Sequence, residues 1–178
     1  AEDHDMTTPV TPNRTITNEQ LVAIVESACR APSLHNSQPW RWVFQGGTLH
    51  LFADHGRVGP HTGITRGEML LSCGAALDHL QVATAGAGWA TTVDRYPDPR
   101  DHDHLASITF SGAEAVSEHD RAVGDAISRR RTDRLPFAAP EPWSDLAQTL
   151  RAVCKRAEVD VDVIDDSGRP ALADASRR

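Results

Sequence analysis

A chain of 178 residues, 39% of them hydrophobic, can bury one core, or one and a half. Its net charge of −7 and isoelectric point near 5.7 argue against a nucleic-acid or anionic-membrane partner, unless a local patch reverses the sign. No segment is apolar enough to span a bilayer, and the acidic start "AEDHDMTTPV" does not read as a signal peptide.

Residues 1–16 read as a flexible N-terminal segment. Thr17 and Gln20 fit a capping box, and Leu21, Ile24, Val25 and Ala28 follow at helical spacing. This first helix should stop near Arg30, because Pro32 disfavours a helical residue before it. A polar loop comes next, followed by Trp40, Trp42 and Phe44 in strand alternation. Gly46-Gly47 signals a two-residue turn, so a hairpin runs from about Trp40 to Ala53. "HGRVGPHTG" is a loop by its glycine and proline content. A second capping box, Thr65 with Glu68, opens a segment over Gly67 to Ala87 that is apolar almost all round. It predicts a buried central helix in which Ser72, Gly74, Ala75 and Ala76 allow close approach.

Strands are predicted at Trp89–Arg95 and Leu105–Phe110 around the polar loop "YPDPRDHDH". Ser117 with Asp120 starts a third helix, which runs into "SRRRTDRLPF". A fourth helix is predicted from Trp143 to Ala157, and a strand over Val159–Ile164. The pattern is that of a mixed, layered α/β or α+β domain. The last residues begin what reads as a further strand and helix, the first residue is Ala, and the earliest Met is Met6. The expectation is a piece of a longer chain. Cys29, Cys73 and Cys154 are far apart, odd in number and set in apolar helical contexts. They read as reduced core residues of a cytoplasmic protein, without disulfide or metal.

Two stretches carry candidate chemistry. Ser33, His35, Asn36 and Gln38 place donors and acceptors together in a short loop ending in rigid Pro39-Trp40. The loop could line a polar ring edge, or it could merely cap and turn the chain. Arg129, Arg130, Arg131 and Arg134, with Thr132 among them, interrupt an acidic chain. Guanidinium forks suit phosphate, yet cations also favour a helix C-terminus and remain there as a solvated end.

Together these stretches resemble one family. "APSLHNSQPWRWVF" resembles the PSxxNxQPW signature of the flavin-dependent nitroreductase superfamily, and "ISRRRTDRLPF" resembles its RRSxRxF phosphate element. The order is reversed, with the arginine element about a hundred residues after the loop. That order is similar to the Acg-like FMN-binding proteins, in which one long chain carries two nitroreductase-like halves as a pseudo-dimer. The resemblance covers roughly Thr17 to Phe137.

It implies an α+β, α-β-α layered fold with a central antiparallel or mixed sheet. It divides the chain into a first half over 17–115 and the start of a second over 116–178. It implies that Ser33 and Asn36 contact the flavin, with His35 and Gln38 close by, and that Arg130, Thr132 and Arg134 hold the phosphate. Trp40 would pack behind the loop, and the helix near Met69–Ala85 would be the central helix of the pseudo-interface. The chain departs from the pattern in lacking an arginine element before its first helix and in carrying Thr132 where Ser is usual. One FMN per full chain is therefore expected, with the chain pairing as a homodimer or with the remainder of a pseudo-dimer.

The implied activity is an FMN-dependent NAD(P)H oxidoreductase acting on nitro compounds or quinones, NAD(P)H binding transiently. No side chain is required as general acid for the hydride step, and no catalytic residue is named. Two readings compete: a protein that sequesters FMN with little turnover, and a degenerate half that serves only as an interaction partner. "DHDH" at Asp101–His104 reads as a solvated loop, because nothing fixes a four-ligand geometry. No nucleophile elbow, GxGxxG or P-loop is present.

Overall fold

The computed structural model describes residues 14–59, 63–135, 138, 140–156, 159–164 and 167–175. They fall into two compact units, one ending at Thr132 and the other beginning at Asp133.

In the first unit, helix α1 (Asn18–Ala28) starts at the Thr17 box: the Gln20 amide donates to Thr17 Oγ1 at 3.3 Å, and the Thr17 amide to Gln20 Oε1 at 3.1 Å. Two backbone donors that the helix leaves unpaired are thus satisfied reciprocally. Strands β1 (Trp40–Gln45) and β2 (Thr48–Ala53) pair through Gly46 and Gly47, whose φ values of 60° and 82° suit the primed turn that matches strand twist. The long helix α2 (Arg66–Gly86) opens on the Thr65–Glu68 box. Strands β3 (Trp89–Arg95) and β4 (His104–Gly112) complete a four-stranded antiparallel sheet in the order β1-β2-β4-β3. Helix α3 (Glu118–Arg129) begins at the Ser117–Asp120 box. The fold is α+β.

Helix α2 packs on β2 and β3, and α1 and α3 pack on α2. The helix-facing side of the sheet supplies Trp40, Leu49, Leu51, Ile108 and Trp89 to one core with Leu21, Ile24, Cys73 and Leu80. Positions on the opposite face, such as Arg41, Thr92 and Thr109, are exposed. The central helix departs from expectation. One stripe, Met69–Ser72–Cys73–Ala76–Leu80, is buried, while Leu71 is 76% exposed. Its all-round apolarity therefore exceeds what the described residues cover. At its other end α2 comes close to α3: a Cβ on Gly86 would meet the Asp120 carbonyl at 3.3 Å and Gly124 Cα at 3.6 Å.

The β2–β4 register shifts between Leu51 and Phe52, so Leu51 faces Ala106 while Phe52 faces His104. Leu105 is the extra residue of a bulge; it turns inward and is buried.

The second unit contains α4 (Trp143–Arg156) and α5 (Arg169–Ala175). Ala157, the expected end of α4, lies outside the described residues. The strand expected at Val159–Ile164 is not formed; the segment is irregular. A strand needs a partner ladder, and no other strand is present among the described residues of this unit. No described helix is long and apolar enough to cross a membrane.

Candidate functional site

Between α1 and β1 the chain makes a loop held from both ends by α2. The Leu34 amide donates to Ser72 Oγ at 3.3 Å, and Cys73 Sγ donates to the Pro39 carbonyl at 3.1 Å. Within the loop the Gln38 backbone amide donates to Ser33 Oγ at 3.0 Å, closing a ring of six residues. His35, Asn36 and Gln38 adopt φ values of 52°, 54° and 47°, the left-handed region that non-glycine residues seldom occupy. Each such residue costs of order 1–3 kcal/mol, and such strain concentrates where a ligand is gripped. The side chains of His35 and Asn36 are exposed, and those of Asn36 and Gln38 make no hydrogen bond among the described residues.

The arginine element reaches this loop from the far end of α3. Arg130 Nη2 donates to the Arg30 carbonyl at 2.9 Å, three residues before Ser33. Arg30 returns the contact, donating to the Ser128 carbonyl at 2.9 Å and to the Ile127 carbonyl at 3.4 Å. Arg130 Nη1 lies 3.4 Å from Thr132 Oγ1. Arg130 Nε is buried with no hydrogen-bond partner among the described residues, as are His79 Nε2 on α2 and Ser37 Oγ in the loop. Burial first, opposed by Asp78 and reinforced by the Arg130 charge, holds His79 below the usual histidine range.

Of the residues singled out in the sequence, Ser33, His35, Asn36, Gln38, Arg130 and Thr132 lie in the first unit, in or joined to this loop region. Arg134 is exposed in the second unit. Trp40 is buried in the core directly after the loop, as expected. The sequence marks Arg30 only as a helix end, Ser72 only by its size, and His79 not at all. The role of Arg30 depends on a partner about a hundred residues away. Among the described residues no group of three or more His, Cys, Asp or Glu could hold a metal ion.

No family model matches the chain. A Mycobacterium tuberculosis protein named "Putative NAD(P)H nitroreductase acg" is 49% identical over 166 residues, covering 93% of this chain and 50% of that protein. A second "Putative NAD(P)H nitroreductase" of the same organism is 42% identical over 130 residues, covering 72% of this chain and 38% of its own. A solved Desulfovibrio desulfuricans structure, described as a "putative nitroreductase in complex with fmn", has a TM-score of 0.49 at 13% identity, covering 76% of this chain and 86% of that one. The chain spans about half the length of the curated relatives it matches. With nearly its whole length aligned at 49% identity, the chain belongs to the nitroreductase family, in its Acg-like group.

Proposed function

We propose that the Ser33–Gln38 loop and the arginine element form the FMN site of an NAD(P)H-dependent oxidoreductase of nitroreductase type. One observation carries this reading above the others. The Arg130–Arg30 hydrogen bond at 2.9 Å ties the phosphate-type cation to the base of the polar loop across the chain. The residues fit the group: a buried guanidinium N–H without a partner suits a phosphate oxygen, and unpaired amide side chains suit a polar ring edge.

In this reading Arg130 would offer its unpartnered Nε–H to the phosphate while Nη2 stays on the Arg30 carbonyl. The Thr132 hydroxyl adds a donor. Ser33 keeps its O–H free to donate, because its oxygen accepts from Gln38. Asn36 offers a donor and an acceptor to the ring edge, with His35 and Gln38 shaping the loop. Bound FMN would supply two-electron chemistry, accepting a hydride from NAD(P)H and delivering electrons to a nitro compound or quinone. The exposed Leu71 on α2 and the relatives' double length support pairing with a second half or a second copy.

The test is the visible spectrum of the protein after FMN addition and desalting, followed by anaerobic NAD(P)H. A retained flavin spectrum that bleaches supports the oxidoreductase. Retained flavin that resists bleaching supports sequestration instead. A colourless protein counts against the site.

A further inference from the structure

The sheet face turned away from the helices carries a cluster that the flavin reading does not use. His50 on β2 faces Ser107 on β4 in register, and the bulge at Leu105 brings His104 opposite Phe52 beside them. His50 Nδ1 lies 3.0 Å from His104 Nε2 and 3.0 Å from Ser107 Oγ, and Ser107 Oγ lies 3.2 Å from His104 Nε2. His104 stacks on Phe52 with ring centroids 4.5 Å apart, which fixes its plane.

Three heteroatoms, two of them ring nitrogens, thus lie within 3.0–3.2 Å of one another on the open face. A ring nitrogen either donates or accepts, never both. With both rings neutral, one N–H donates to Ser107 Oγ and the Ser107 O–H donates to the other ring, while the two ring nitrogens still face each other at 3.0 Å. If both rings are protonated, two positive groups face each other at 3.0 Å. One cation at the point of convergence would satisfy all three groups at once.

We propose that His50 Nδ1, His104 Nε2 and Ser107 Oγ form a binding site for a divalent transition metal, Cu2+ first, Ni2+ next. Imidazole nitrogen is the preferred donor for these borderline ions, and copper heads the affinity order. With metal–nitrogen bonds of about 2.05 Å, two nitrogens on one ion lie about 2.9–3.3 Å apart. The observed 3.0 Å lets one ion bridge both rings without moving either strand. Water completes the coordination from the open side, since all three residues are only half-buried. The bulge is what makes the site. Regular pairing would oppose Phe52 with Leu105 and turn His104 to the other face. Arg41, whose guanidinium lies 4.5 Å from the Phe52 ring centroid, brings a like charge to this face and moderates the affinity.

The decisive experiment titrates the chelator-stripped protein with CuCl2, then NiCl2, in a non-coordinating buffer, with electron paramagnetic resonance of the copper form. We expect one equivalent of Cu2+ with two nitrogen donors, and affinity about a hundredfold lower in His50→Gln and in His104→Gln, each removing one arm of the chelate. His102→Gln and His55→Gln should bind as the wild type does. Thermal unfolding of the metal-free variants guards against misfolding, and the half-buried positions should tolerate the change. Absence of a two-nitrogen copper signal, or unchanged affinity in either folded variant, would overturn the assignment.

Discussion

Arg30 and Arg130 each donate to backbone carbonyls at the other's end of the fold: Arg130 to Arg30 itself, Arg30 to Ser128 and Ile127. The last turn of α3 is thereby clasped to the chain that leaves α1 for the polar loop. Helix C-termini attract cations to their unpaired carbonyls, so Arg30 is drawn to the end of α3. Its own carbonyl is then presented to Arg130. The clasp sets where the arginine element sits relative to Ser33–Gln38.

Removing one arm should loosen that placement more than it destabilises the fold. For Arg30→Ala we expect a stability loss of about 1 kcal/mol, because these charge-assisted bonds are partly exposed. Amide exchange at Ser33–Gln38 should accelerate in the same variant, and FMN affinity should fall although Arg30 is not itself placed on the phosphate. Hydrogen–deuterium exchange of the variant reads the first effect. Unchanged loop protection would show that Ser72 and Cys73 hold the loop alone.

The α2–α3 crossing rests on Gly86 and Gly124. Gly86→Ala should be close to neutral, since the gain in helix propensity, about 1 kcal/mol, offsets a single tight contact at 3.3 Å. Gly86→Leu has no such room and should cost about 1–3 kcal/mol, displacing α3 and with it Arg130. Denaturant unfolding of both variants checks the contrast. A Gly86→Leu protein as stable as the wild type would mean that α3 does not need this crossing.

Cys73 should be inert in the folded protein. It is buried against the Pro39 carbonyl, and burial pushes its thiol up to about 11, so almost no thiolate exists at neutral pH. Half-buried Cys29 and Cys154 should react with a thiol reagent first. Cys73 should become modifiable only on unfolding. Mass spectrometry of briefly alkylated native protein decides this, and early labelling of Cys73 would contradict the packing of the loop on α2.

Stability should depend on His50. Burial first, then the neighbouring His104, holds its folded pKa below the usual 6.5. Above that value both folded and unfolded chains are neutral at this site, and stability is complete. As pH falls below it, the unfolded chain takes the proton first and stability declines until the lower folded pKa is passed. Thermal unfolding in the presence of a chelator, from about pH 8 to pH 5, should therefore show a shallower decline in His50→Gln than in the wild type. Some slope will remain, because His79 is shifted in the same direction. Identical slopes would rule out the His50 contribution.

What the sequence disclosed was local. The capping boxes at Thr17, Thr65 and Ser117 and the Gly46-Gly47 turn are fixed by residues within a few positions of each other, and each was legible. The polar loop and the arginine run were legible as motifs, but their junction was not. It rests on a hydrogen bond between residues a hundred positions apart. The bulge at Leu105 depends on pairing with β2, so "DHDH" read as a loop although its last residue starts β4 next to His50. The stretch Val159–Ile164 alternates like a strand, but alternation specifies a face and not a partner.

The central claim is that Arg130 holds a flavin phosphate against the Ser33–Gln38 loop. It is tested most directly by titrating FMN, followed by its fluorescence, into the wild-type chain and into the Arg130→Ala variant. Saturable binding in the wild type, weakened at least about tenfold in a variant that still unfolds cooperatively, is the predicted result, since charge-assisted phosphate contacts are the strong ones. Equal affinity in the two proteins would contradict it.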